Sequence, residues 1–266
     1  MNKLQASNFY QHFADNERPT IDYFVGLFNQ VIYKKNKILT DFLNPREQRI
    51  LATIVGQQLQ LEFFGGYEGA ERQRAFIADF SDYEAKPDFE IIPLAIEYNH
   101  KFITLKHADI YGALNNIGLT PAVYGDIIHD EQGNWQFFVQ QPNMLDVKTQ
   151  VDRIGRNSVR LMEISPNQIL NPVDEGTLSE ILFGSRRMDS VIAAVARLSR
   201  AQAKEAIACG DVKINWLVAT DPSSMLSVSD TVSLRYYGRF KLMQKLGETK
   251  RGKQRFLIEQ WLSKKR

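Results

Sequence analysis

The sequence predicts an α+β chain made of three consecutive units: a mixed helical N-terminal unit (1–86), a ferredoxin-like middle domain (87–178) and a basic C-terminal module (183–266). Three observations carry that expectation. Apolar residues recur at helical spacing in some segments and alternate with polar ones in others, which marks one-sided helices and half-buried strands. Between residues 91 and 164 the segments run strand, helix, strand, strand, helix, strand, the order of a split βαβ unit. Charge is also unevenly placed: residues 183–266 hold 17 Lys plus Arg against 7 Asp plus Glu, a net of +10, so the remainder carries −8 behind an overall +2. Such asymmetry points to one part that meets a polyanion and another that does not.

In the first unit, Ile21, Phe24, Val25, Leu27, Phe28, Val31 and Ile32 mark a helix over 20–35 with one buried face. A second helix begins behind Asn44. Asn44 is its N-cap, Pro45 its first helical residue and Glu47 completes a capping box before the apolar Ile50, Leu51 and Ile54. A short strand over 59–64 runs into Gly65-Gly66-Tyr67-Glu68-Gly69-Ala70-Glu71-Arg72. Glycines of this kind can aim backbone N–H groups at an anion. Here no Lys-Ser/Thr follows, GxGxxG spacing is missing, and Glu68 and Glu71 would repel phosphate, so the segment reads as a tight structural turn.

A linker around 86–88 leads into the middle domain, with strands at 91–98, 124–129, 135–140 and 159–164 and helices at 107–117 and 142–154. RNA-recognition motifs share this order. Their base-stacking strands carry a basic-aromatic signature, whereas Asn134-Trp135-Gln136-Phe137-Phe138-Val139 has no cation and no Gly-aromatic pair, so the fold is expected without that function. Trp135 and Phe137 alternate with Gln136 and Phe138, which places one pair in the core and leaves the other to cover a helix or a partner. Arg153, Arg156 and Arg160 read first as a solvated helix end beside Asp152, with a satellite patch that touches RNA as the alternative.

One Cys allows no internal disulfide, no stretch approaches a membrane span, and the first twenty residues lack a signal-peptide core, so a cytoplasmic protein is expected. His12, His100, His107 and His129 lack metal-site spacing. There is no GxSxG elbow, HExxH or Cys-His signature, and Asp79 with Asp82, Asp174 with Glu175, and His107 with Asp109 read as caps and loop charges. No catalytic residue, metal or cofactor is expected.

In the last module, Arg186-Arg187-Met188-Asp189 opens a helix with Val191, Ile192, Val195, Ala196 and Leu198 at helical intervals. Ser199 breaks it and caps a second helix, which ends at Cys209-Gly210 with Gly at the left-handed stop and Cys209 as a packing residue; a strand over 211–215 follows. Arg187 precedes the first helix, Arg200 and Lys204 lie one turn apart on the second, and Lys213 sits beyond. Basic segments of this kind are nucleic-acid footprints. Membrane-surface binding would want a basic amphipathic helix, and here many cations fall in loops and strands.

The stretch RRMDSVIAAVARLSRAQAKEAIACGDVKIN resembles the small RNA-binding domain named after ribosomal small-subunit protein S-four, with the pattern Arg-x-Asp, Ser-Arg-x-x-Ala and Gly-x-Val-x-Val-Asn. Arg187, Asp189, Ser199, Arg200, Ala203, Gly210, Val212, Ile214 and Asn215 fit it. Trp216 departs from it, since a small residue usually follows the Asn, and this predicts a differently shaped loop. Beyond that module, FFGGYEGAERQR (63–74), HADIYGALNNIGL with YGDI (107–127) and YYGRFKL with GETKRGK (236–253) resemble the bacterial YlmH-type proteins.

The resemblance implies an S-four-type domain behind a ferredoxin-like one, a gene in the cell-division cluster, and non-catalytic binding of structured RNA. The RNA would be rRNA or tRNA on the large ribosomal subunit, in the rescue of stalled peptidyl-tRNA-bearing subunits. The expected RNA-binding residues are Arg186, Arg187, Ser199, Arg200, Lys204, Lys213, Asn215, Arg239, Lys241, Lys250, Arg251 and Lys253, with Ser199 and Asn215 equally readable as structural caps. The runner-up is an RNA-modifying enzyme, a pseudouridine synthase or methyltransferase, that uses the same terminal domain to hold its substrate. A third reading is an adaptor whose acidic N-terminal part docks a protein.

Overall fold

The capping signals at Asn44 act as their chemistry dictates: its Oδ1 accepts from the N–H groups of Arg46 at 2.9 Å and Glu47 at 3.1 Å, while Glu47 Oε2 accepts from Asn44 N–H at 2.8 Å. A computed structural model of the chain describes residues 3–83 and 86–262. Contacts divide it into two compact units, Met1–Val173 and Asp174–Arg266. Among the described residues no helix is long and apolar enough to cross a membrane.

The first unit opens with α1 (Ser7–Tyr10), α2 (Arg18–Lys34), β1 (Ile38–Leu43), α3 (Pro45–Val55), β2 (Gln60–Phe64) and β3 (Gln73–Ala78). The strands form an antiparallel sheet in the order β1-β3-β2. Ile21, Phe24, Phe28 and Val31 of α2 and Ile50, Leu51 and Ile54 of α3 pack on Ala75 and Ile77 of β3, the central strand, which is buried along nearly its whole length. Glu17 is buried just ahead of α2 and accepts two bonds from Arg46, at 2.7 and 2.8 Å. The Arg46 hydrogen bond holds its carboxyl below the ordinary range against the cost of burial.

There follow β4 (Ile91–Glu97), α4 (His107–Asn116), β5 (Tyr124–His129), β6 (Trp135–Gln140), α5 (Met144–Gln150), a small ribbon of β7 (Arg153–Ile154) with β8 (Asn157–Ser158), and β9 (Arg160–Glu163). The antiparallel sheet runs β5-β6-β4-β9, compatible with the split βαβ expectation. The expected helix over 142–154 is shorter than its periodicity suggested. It ends at Gln150, and Gly155 at φ +61° closes a tight ribbon that still buries Ile154, so Arg153 lies on a strand and not at a helix end.

Trp135, Phe137 and Val139 face α4 and α5 through Ile110, Leu114 and Val147. The other face is covered from within the same unit. Phe138 and Ile128 pack against Phe42 of β1, Tyr67, Ile169 and Leu170. Gln136 fastens the covering segment, donating to Gln168 O and accepting from Leu170 N–H, each at 2.9 Å. The face on which an RNA-recognition motif stacks bases is thus part of a core.

The glycine-rich turn makes that contact possible. Gly66 sits at φ +103°, where a Cβ would stand 2.3 Å from Phe138 Cδ1. Tyr67 stacks on Phe138 with ring centroids 5.2 Å apart. The turn does present donors to an anion, but the anion is the chain's own Asp126, which accepts from Tyr67 Oη at 2.9 Å, Glu71 N–H at 2.7 Å and Arg72 N–H at 3.1 Å. Burial raises the Asp126 carboxyl above its ordinary range despite these bonds. Arg74 is likewise turned inward and donates to the carbonyls of Thr40, Phe89 and Glu90.

The second unit contains β10 (Thr177–Phe183), α6 (Met188–Ala196), α7 (Arg200–Ala208), β11 (Val212–Ile214), β12 (Leu217–Val218), β13 (Thr231–Leu234), β14 (Gly238–Glu248) and β15 (Gln254–Leu262). Its antiparallel sheet runs β10-β15-β14-β13-β11-β12. Val191, Ile192 and Val195 of α6 and Ala203 and Ile207 of α7 cover one face, built from Val212, Val232, Phe240, Leu242, Phe256 and Ile258. Strand β10 lies ahead of the Phe183 boundary read from sequence and pairs along its whole length with β15. Gly210 takes φ +76° as expected, but Cys209 is exposed at the end of α7, because Ala203 and Ile207 occupy the buried positions of that helix.

Candidate nucleic-acid interface

The first turn of α6 is pinned from outside the helix, with the N–H groups of Met188 and Asp189 donating to Ser224 O at 2.8 Å and Pro222 O at 3.1 Å. This places the Asp189 side chain at 0% exposure. A bare carboxylate there would take up a proton. Two arginines keep it ionised and a lysine stands beside them: Arg187 donates from Nε at 3.2 Å and Nη2 at 3.4 Å, Arg200 Nη2 reaches both carboxylate oxygens at 2.9 and 2.8 Å, and Lys204 Nζ stands at 4.0 Å. Burial alone would raise the Asp189 carboxyl, but the bonds from Arg187 and Arg200 prevail and hold it below its ordinary value.

Those cations are not consumed by the pairing. The side chains of Arg187, Arg200 and Lys204 remain 37%, 58% and 54% exposed. Only Nη2 of Arg200 touches Asp189, and a guanidinium has five N–H donors in a planar fork suited to phosphate. One buried anion at the start of α6 therefore gathers three positive charges, one from Arg187 just ahead of that helix and two from α7, into one preorganised cluster. Ser199 makes the register of α7 possible: its Oγ accepts from Gln202 N–H at 3.1 Å, and Gln202 Oε1 accepts from Ser199 N–H at 2.9 Å.

The other expected residues fall elsewhere. Lys213, Ser233, Arg239 and Trp261 are paired in register across β11, β13, β14 and β15, and Thr231, Lys241 and Glu259 form the next row on the same side. Residues offset by one, Val232 and Phe240, belong to the core under the helices, so Lys213, Arg239 and Lys241 lie on the opposite, outer face of the sheet. Arg186 donates to Leu226 O at 3.4 Å. Lys250, Arg251 and Lys253 are exposed on the β14–β15 turn, shaped by Gly252 at φ +75°. At about 3.3 Å per residue that turn lies roughly 30 Å along β14 from Arg239. The expected residues thus form a helix-borne cluster, a sheet-face group and a distant turn, not one continuous track.

Asn215 and Trp216 form the two-residue connection between β11 and β12, at φ +47° and +68°. Asn215 is engaged inside the fold: its side chain donates to Asp230 Oδ1 at 2.8 Å and accepts from Thr231 N–H at 3.0 Å. The Arg239 guanidinium lies over the Trp216 ring, 5.4 Å from its centroid. Sequence reasoning named neither Asp189 as an organiser nor Tyr236 as a surface group. The signal for Asp189 was the Arg-x-Asp spacing itself. Tyr236 is 81% exposed at the β13–β14 turn with Arg235 stacked 4.9 Å from its centroid, and its only local sign was a Tyr-Tyr-Gly between two short strands.

Comparison with known proteins gives matches along most of the chain. Three family models match, described as "YlmH, N-terminal" (residues 16–81), "Putative RNA-binding domain in YlmH" (84–168) and "S4 domain" (186–232). The chain is similar to "Ribosome-associated protein quality control protein P2" of Bacillus subtilis (strain 168), 35% identical over 257 residues, which is 95% of this chain and 98% of that protein. Among solved structures it is similar to "Cell division protein ylmH from Streptococcus pneumoniae", with a TM-score of 0.53 and 29% identity over 61% of this chain and 99% of that one.

Proposed function

Since this chain belongs to the YlmH family and ends in an S4 domain, we propose that it binds structured RNA on the ribosome, and more narrowly rRNA or tRNA of the large subunit, without catalysing a reaction. The process it serves is ribosome-associated quality control, the role named for the Bacillus subtilis relative. A link to cell division, named for the Streptococcus pneumoniae relative, is part of the same reading.

The observation that carries this reading is the cluster of Arg187, Arg200 and Lys204 on the buried Asp189. Phosphate contacts position a protein on RNA and release counterions, and folded RNA is recognised by shape more than by base sequence. A cluster held rigid by a buried anion suits shape recognition, because its cations need little ordering when RNA arrives. The first unit, part of the segment with net −8, is assigned to a protein partner.

Co-sedimentation with isolated large subunits and with tRNA tests the reading. The Arg187→Ala, Arg200→Ala double variant is expected to pellet poorly, and its dependence of log binding constant on log salt should flatten by about 1 for each lost phosphate contact. Equal pelleting of both forms, or binding that does not vary with salt, overturns the assignment.

A further inference from the structure

The outer face of the C-terminal sheet carries a second arrangement that the helix-borne cluster does not use. We infer that Trp216, with Lys213, Arg239 and Lys241, forms a separate binding face for an unpaired RNA strand, with the indole stacking on a base and the three cations meeting the backbone. This rests on the proposed RNA binding and adds a second surface and a second RNA form to it.

The turn is the first reason. A two-residue hairpin connection with both φ angles positive is most readily made by Asn-Gly, and here Asn215 is followed by Trp216 at φ +68°. Trp216 takes up a backbone conformation that favours glycine, and strained positions of this kind concentrate at functional sites. Packing does not account for the choice, because Trp216 is only partly buried and lies outside the core of the unit.

Charge is the second reason. Lys213 and Arg239 lie in one row two strands apart, about 10 Å, and Lys241 follows two residues along β14, about 7 Å further. Arg239 already lies on the Trp216 ring, so a base stacking on the indole would have a guanidinium within reach of its phosphate. Glu259 beside Lys241, and Glu180 with Arg255 at 3.8 Å, mix acids into the β10–β15 side and confine the basic surface to β11, β13 and β14. Alternation of an aromatic face with cations is how proteins hold single strands without reading sequence.

The full chain is titrated with a single-stranded oligouridylate of about 12 nucleotides, within the site sizes such surfaces occupy, while binding and tryptophan fluorescence are followed. Trp261 shares the outer-face row with Arg239 and is replaced by Phe throughout, which leaves the buried Trp135 as the internal reference. The expected result is quenching on binding, with affinity lowered about tenfold in Trp216→Gly and in Arg239→Gln, and little changed in Arg187→Ala, Arg200→Ala. Trp216→Gly supplies the Asn-Gly pair that the turn prefers, and Arg239→Gln leaves the turn untouched, so agreement between them separates lost binding from lost fold. Large-subunit pelleting should respond in the opposite order. Oligouridylate bound equally by wild type, Trp216→Gly and Arg239→Gln overturns the inference, as does competition by polyglutamate as effective as by oligouridylate. No oligouridylate binding with subunit pelleting intact also overturns it and leaves the proposed function standing, whereas loss of both defeats both.

Discussion

Replacing Asp189 with Asn separates positioning from net charge at the helix-borne cluster. The wild-type carboxylate is fully buried and accepts four donor contacts from Arg187 and Arg200, between 2.8 and 3.4 Å. Hydrogen bonds to charged groups contribute about 1.5–3 kcal/mol each, but these cations are about one third to three fifths exposed and therefore screened. Asn also keeps one accepting oxygen, so the net loss of stability is about 1–3 kcal/mol. The folded pKa is depressed, so this stabilisation is fully present above the unfolded carboxylate's pKa and is lost as pH falls through the folded value. The gap between wild type and variant should therefore close on acidification below the ordinary carboxylate range. Urea unfolding followed by tryptophan fluorescence across pH measures it.

RNA binding then decides the reading. Asp189→Asn makes the site more positive by one charge, so an interface that felt only net charge would bind large subunits and tRNA more tightly. A positioning role predicts the reverse, about tenfold weaker binding, which is about 1.4 kcal/mol, because the forked donors lose their common anchor. Tighter or unchanged binding with an unchanged salt slope would refute the argument from preorganisation.

Three further substitutions probe other parts of the molecule. Ser199→Ala removes a cap from α7 and should cost about 1 kcal/mol in chemical denaturation. Gly66→Ala forces a side chain onto Phe138 at a positive φ; it should destabilise the first unit by about 2–4 kcal/mol, and a variant as stable as wild type would sink the account of how the middle sheet is covered. Arg46→Ala leaves Glu17 buried without its partner, so a loss of about 3–5 kcal/mol is expected, smaller at acid pH because the Glu17 carboxyl is held low by Arg46.

Much of the architecture was legible because its signals are local. The capping box at Asn44, the Ser199 break between α6 and α7 and the left-handed Gly210 each depend on residues within a turn of one another. Strand β3 carries no alternation to read, since it is buried on both faces, and the ribbon at β7 and β8 satisfies an apolar spacing that reads equally well as helix. The site was half legible. Arg187, Arg200 and Lys204 follow from charge and spacing, whereas their convergence on Asp189 depends on how α6 meets α7.

By itself the sequence determined the class of the fold, the position of most elements and the concentration of positive charge in the last module, because periodicity, caps and composition act over a few residues. Only the tertiary structure decided that the middle sheet is closed by Phe42, Tyr67 and Leu170, that three cations share one buried anion, and that Lys213, Arg239 and Lys241 lie on the sheet face away from the helices. The physical reason is the range of the interactions. Which face meets which partner is set by contacts such as Gly66 on Phe138 and Tyr67 on Asp126, between residues far apart in the chain, and no local pattern encodes them.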